Sequence, residues 1–104
     1  MENIVELAKL MQEKINIMTE LFYQQNTNAY QYLNVILEGL TQLINLLVQY
    51  QAENNEKILD EQELLQSITE AFTAMQEGDN VLLADLFSYN IKEQLQTLID
   101  CENK

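Results

Sequence analysis

The longest apolar stretch of the chain runs from Ala29 to Tyr50. At about 100° per residue its apolar side chains spread over an arc of roughly 220°, about twice the stripe that a surface helix needs. Tyr32, Leu33, Val35, Ile36, Leu37, Leu40, Leu43, Ile44, Leu46, Leu47 and Val48 fall in that arc. Asn34, Glu38, Thr41, Gln42 and Asn45 lie on the remainder. The pattern predicts a central helix ending near Ala52 and covered on two or more sides, within the protomer or across an oligomer interface. Gly39 lies on the same arc, where a missing side chain lets another helix come close at a propensity cost of about 1 kcal/mol.

Upstream, Ile4, Ala8, Met11, Ile15, Met18 and Phe22 alternate steps of four and three, the seam of a helix over about Glu2 to Gln24. Leu7, Leu10, Ile17 and Leu21 widen one flank of that seam. Glu2, Glu6, Glu13 and Glu20 line the opposite, wetted face. The polar run Gln24 to Asn28 reads as a turn with Thr27 or Asn28 capping the next helix. A short kink, or one helix continuous through both segments, fits the composition as well.

Ala52 to Leu59 reads as a loop. Asp60 then starts the third helix: it can cap, Glu63 follows three residues later as in a capping box, and Leu59 and Leu64 are spaced as a hydrophobic staple. This helix is expected from Glu61 to Glu77, burying Leu64, Leu65, Ile68, Ala71, Phe72 and Met75. Gly78 ends it in the left-handed conformation, and Asp79 or Asn80 caps a fourth helix reaching Asp100. The tight connection makes helices 3 and 4 antiparallel neighbours. Val81, Leu83, Ala84, Phe87, Ile91, Leu95 and Leu98 form the fourth helix's main buried face. Leu82, Leu86 and Tyr89 form a second apolar strip that one face cannot bury, with Asp85 between the two strips.

These elements predict an all-α, up-and-down four-helix bundle of one domain over residues 1–104, with two long helices followed by a shorter hairpin. Composition agrees: there is no proline, two glycines and 47% apolar residues in 104. Formal charge is −12 without arginine or histidine. It is uneven: residues 1–52 carry five carboxylates and two lysines, net −3, and residues 53–104 carry twelve and three, net −9. Such a surface repels phosphate backbones and anionic lipid, so neither nucleic acid nor membrane is an expected partner. No apolar run reaches the length of a membrane span and the amino terminus lacks a basic leader region, so a soluble cytoplasmic protein is expected.

The inventory also bears on chemistry. Without histidine there is no nucleophile–imidazole arrangement and no imidazole metal ligand, and one cysteine makes neither a zinc–thiolate site nor an internal disulfide. There is no Gly-rich phosphate loop. Glu38 and Asp85 are the carboxylates embedded in apolar stretches, a conceivable acid–base or hard-metal pair, though Glu38 sits mid-way along the polar strip of its helix. Cys101 has acidic neighbours that disfavour a thiolate, which points to a structural or incidental role. Met11, Met18 and Met75 fall on seams and read as gap fillers, and Tyr30, Tyr32 and Tyr50 as core-edge aromatics or interface anchors. No cofactor, metal or catalytic residue is expected.

The run Ala71 to Ile91, AFTAMQEGDNVLLADLFSYNI, with Asp79, Val81-Leu82-Leu83, Ala84-Asp85-Leu86 and Tyr89, resembles small acidic all-helical proteins of Gram-positive bacteria, some associated with flagellar or motility gene clusters. Gly78 stands where that pattern has a charged residue, and Ser88 and Asn90 flank Tyr89 in place of glutamates. The resemblance implies an accessory or chaperone-like role and carries no catalytic residues.

The expected function is therefore non-enzymatic: a helical scaffold or protein-interaction module that self-associates, as a dimer in the first instance, through helix–helix contacts. The expected interface residues are Tyr32, Val35, Leu37, Leu46, Val48, Leu82, Leu86 and Tyr89. An export-chaperone-like protein whose groove accepts an amphipathic or basic client helix is the alternative. A carboxylate-based enzyme or metal protein is a remoter one.

Overall fold

The structure, a computed structural model, describes residues 2–57 and 59–102. Four helices follow one another: α1 (Glu2–Tyr23), α2 (Ala29–Asn54), α3 (Glu61–Gln76) and α4. The last spans residues 80–102 as α-helical Asn80–Asp85, π-helical Leu86–Ile91 and α-helical Lys92–Glu102. No strand occurs among the described residues. The helices run up and down as an all-α four-helix bundle with Cα extents of 42 × 22 × 19 Å.

The three turns follow from local chemistry. After α1, Gln25 takes a left-handed φ of 58° and the amide of Asn26 reaches back to the Leu21 carbonyl. Neither Thr27 nor Asn28 caps α2 by its side chain. Asn28 is already helical at φ −61° and ψ −17°, and Asn26 Oδ1 instead accepts from the Asn28 amide at 3.0 Å. An Asx turn thus supplies the reversal, and α1 and α2 are separate helices. The second turn begins later than Ala52, because α2 runs to Asn54 and ends on left-handed Asn55 (φ 48°), a residue type that tolerates that region. At the start of α3, Asp60 Oδ1 accepts from the amides of Gln62 (3.0 Å) and Glu63 (3.3 Å). Gly78 takes φ 72° after α3, and Asp79 Oδ1 caps α4 by accepting from the Leu82 amide at 3.0 Å.

One seam holds the long helices. Ile4, Ala8, Met11, Ile15, Met18 and Phe22 of α1 are all buried, and Ala29, Leu33, Ile36, Leu40, Leu43 and Leu47 of α2 repeat the same four–three rhythm. At its centre Gly39 lies against Met11. A Cβ there would collide with Met11 Sδ and stand 2.7 Å from its Cε. The Met11 thioether occupies the space that a side chain at Gly39 would need. On its other side α1 packs against the whole of α4, whereas α2 and α3 approach each other little. The central strut is therefore α1. Within one protomer the broad apolar arc of α2 is covered chiefly by α1, with a small contact to α3.

In α4, Leu83, Phe87, Ile91 and Leu95 are each 0% exposed and four residues apart. Each step of four advances an α-helix by about 40°, so three such steps would carry the stripe about 120° off line. The π-turn, marked by the Lys92 amide bonding the Phe87 carbonyl, takes up that drift. Ile99 joins the buried face. Val81, expected there, is 63% exposed at the first turn of α4. In α3 the buried set is Leu64, Ser67, Ile68, Ala71 and Ala74. Leu65 and Phe72, expected inside, are 49% and 43% exposed, since α2 does not come close enough to cover that flank.

Gly39→Ala should destabilise the protein by about 1–2 kcal/mol, the overpacking against Met11 outweighing the roughly 1 kcal/mol gain in helix propensity. In a Met11→Ala background the same change should be neutral or stabilising, a coupling that urea unfolding of the four variants measures. Additive effects would show that Gly39 is not set by the close approach.

Candidate interaction surfaces

The residues that sequence pattern marks as interfacial separate onto three sides of the bundle. On α2, Tyr32, Val35, Gly39 and Leu46 share the flank that meets α1, as the Gly39–Met11 contact fixes. Val35 is 46% and Leu46 39% exposed, while Tyr32 is half-buried against the core. On α1, Leu10 and Ile17 are 45% and 46% exposed, and Leu10 borders the same groove as Val35. Between the helices lies an open groove of about 680 Å³, bordered by Leu7, Leu10, Met11, Lys14, Val35, Leu37, Glu38 and Gly39. Lys14 and Glu38 are its charged side chains, and apart from tyrosines Glu38 is the single ionisable side chain between Leu21 and Ala52. Leu10 and Ile17 were legible as the widened flank of the first helix, yet they were not singled out, because only the two helix orientations together place Leu10 beside Val35.

Val48 lies on the opposite flank of α2, the side of Gln51. Gln51 reaches the start of α3, its Nε2 donating to Glu61 Oε2 (3.0 Å) and its Oε1 accepting from the Leu59 amide (3.1 Å). The backbone amide of Glu61 itself, and then the Gln51 side-chain amide, hold the Glu61 carboxyl below its ordinary pKa. Val48 is 46% exposed, and Leu37 is half-buried with the core.

Leu82, Leu86 and Tyr89 do not form one strip. Leu82 (43% exposed) and half-buried Leu86 border a recess between α3 and α4, opposite Glu70, Thr73, Ala74 and Glu77. Leu86 also packs on the core. Tyr89, 65% exposed, lies instead toward Tyr23 of α1. The π-turn is the cause: it alters the angular advance between Leu86 and Tyr89 from that of an α-helix.

Asp85, between the strips, has a partner. Tyr23 Oη donates to its Oδ1 at 2.6 Å, and at the same end of the bundle Tyr30 Oη donates to Asn80 Oδ1 at 2.6 Å. Phe22 and Tyr30 stack edge to face there, with centroids 5.3 Å apart. Two tyrosines thus tie the α1–α2 turn to the head of α4. Glu38 lies on the exposed back of α2 and is not brought to Asp85, so the conceivable carboxylate pair is not assembled. Among the described residues no three His, Cys, Asp or Glu side chains converge as a metal site, and no helix is long and apolar enough to cross a membrane.

The Asp85 carboxylate, by accepting from the phenol, raises the Tyr23 pKa above its ordinary 10.0. A pKa raised on folding contributes stability that is complete below the unfolded value and is lost as pH rises through the folded one. The stability difference between wild type and Tyr23→Phe should therefore be constant from about pH 7 to 9 and shrink above about pH 10. Thermal unfolding across that range checks it, and a difference that persists unchanged in alkali would contradict the bond.

No curated protein and no solved structure matches the chain. A family model described as a domain of unknown function, DUF8042, matches residues 1–100. Covering nearly the whole four-helix bundle, that match makes the chain a member of the DUF8042 family.

Proposed function

We propose that this protein is a non-enzymatic interaction module that self-associates through the outer side of α1 and α2. The observation that carries the reading is the row of large apolar side chains left outside there. Leu10, Ile17, Val35 and Leu46 are each 39–46% exposed on these two helices, and Leu10 and Val35 border the open groove between them. Scattered exposed leucines are ordinary, but a contiguous apolar face on one side marks an interaction surface. Charge favours a second copy. Two molecules of net charge −12 repel wherever their acidic halves meet, and the α1–α2 side brings the fewest carboxylates together. That side also runs the length of the bundle, and a 42 × 22 Å face is of the order of the roughly 800 Å² each partner gives to a standard interface.

The cytoplasm is the compartment that suits a reduced single cysteine and an acidic helical surface. The likeness of residues 71–91 to small acidic helical accessory proteins supports an adaptor or chaperone-like role over catalysis, as does the separation of Glu38 from Asp85.

Sedimentation should find a dimer of the wild-type protein at concentrations of tens of micromolar. Ile17→Asp with Val35→Asp should weaken association by about tenfold or more, about 1.4 kcal/mol per decade, while the helical circular dichroism and unfolding temperature stay near wild type. Leu82→Asp, on a different side, should leave association intact. A wild type monomeric at every concentration, or association indifferent to the Ile17 and Val35 changes, would remove the reading.

A further inference from the structure

The seam on the far side of the molecule, between α3 and α4, has a different character. Glu63, Glu70 and Glu77 recur every seven residues along α3, so they follow one edge at intervals of about 10 Å. Glu70 and Glu77 border a recess of about 280 Å³ whose floor is Ala74, Leu82 and Leu86. One helical stretch further along, Glu63 and Glu93 border a second recess of about 440 Å³ with Ser67, Asn90 and Gln94. No lysine lines either recess. Within the second, Gln94 Nε2 donates to Ser67 Oγ (3.0 Å), and Ser67 Oγ donates to the Glu63 carbonyl (3.1 Å). Gln94 Oε1 is buried and accepts no hydrogen bond among the described residues. A buried acceptor without a donor is costly.

We infer that the α3–α4 groove is a docking site for a basic amphipathic helix of another protein. Each element of the groove has its counterpart in such a ligand. The apolar floor of Ala74, Leu82 and Leu86 takes its leucine-like stripe. The glutamates at seven-residue spacing meet lysines or arginines two turns apart on the edge of that stripe. An acidic or phosphorylated partner is repelled by the same carboxylates, and a second copy of this chain brings its own net charge of −12. The site is separate from the α1–α2 side and does not rest on self-association.

The probe is a fluorescently labelled helical peptide of leucine, alanine and lysine, with leucines at spacings of three and four and lysines along both edges of the stripe. Its control is a permutation of the same residues that scatters the leucines around the helix. Fluorescence anisotropy should show the amphipathic peptide binding the wild type at least tenfold more tightly than the control, with affinity falling as salt rises. Glu70→Lys with Glu77→Lys should weaken binding at least tenfold without lowering the unfolding temperature. Ile17→Asp with Val35→Asp should bind the peptide as the wild type does. Equal binding of the permuted peptide, binding insensitive to the charge reversals, or loss of binding in the Ile17 and Val35 variant would each overturn the site. A wild type that fails to dimerise yet binds through the glutamates would remove the self-association reading and leave this one standing.

Discussion

The approach of α1 to α2 at Gly39 is the contact on which the rest of the bundle depends. Two helices of 22 and 26 residues can interdigitate along their full length only if the widest point of the seam is relieved. Gly39 relieves it, and Met11 fills the space that a β-carbon would have taken. With that seam closed, α1 presents its remaining flank to α4, where Gln12 Nε2 reaches the Lys92 carbonyl (3.2 Å) and Gln96 Oε1 (3.1 Å). The shorter α3 then rests chiefly on α4. The close seam also determines what stays outside. Drawing the four–three stripe of α2 inward turns Val35 and Leu46 outward.

The two halves of the molecule solve opposite electrostatic problems. The α1–α2 half carries few charges, net −3 over residues 1–52, with Lys14 and Glu38 at the edge of its groove. The α3–α4 half carries most of the carboxylates, and its outer seam combines them with a limited apolar floor at Leu82 and Leu86. A homophilic side and an acidic side suited to a cationic helix can coexist in one small protein because the charge is segregated along the chain. The turn end ties the two halves through phenol hydrogen bonds, from Tyr23 to the Asp85 carboxylate and from Tyr30 to Asn80.

Much of the fold was legible in sequence because its determinants are local. The helix boundaries follow from Asp60, Gly78 and Asp79, and the seams from spacings of four and three. What was not legible depends on tertiary approach. The arc of α2 implied enclosure on two sides, but how near α3 comes is not encoded in α2. For the same reason Leu65 and Phe72 were placed inside and lie outside. The π-turn had a trace in the unbroken steps of four from Leu83 to Leu95, and without it Leu82, Leu86 and Tyr89 project as a single strip when they belong to two sides. Leu10 becomes a neighbour of Val35 only when antiparallel α1 and α2 are laid together. Asn26 took the role expected of Thr27 or Asn28, since either an Asx turn or a side-chain cap satisfies a polar five-residue reversal.

The central claim is that the sparsely charged α1–α2 side is the surface through which copies of the protein meet. Methyl NMR with a soluble paramagnetic agent, recorded over a dilution series, tests it most directly. The account predicts that the methyl signals of Leu10, Ile17, Val35 and Leu46 become shielded from the agent as concentration rises, while those of Leu65, Val81 and Leu82 stay equally accessible. Shielding that appears first at Leu65 and Leu82, or at none of these residues while the protein associates, would contradict it.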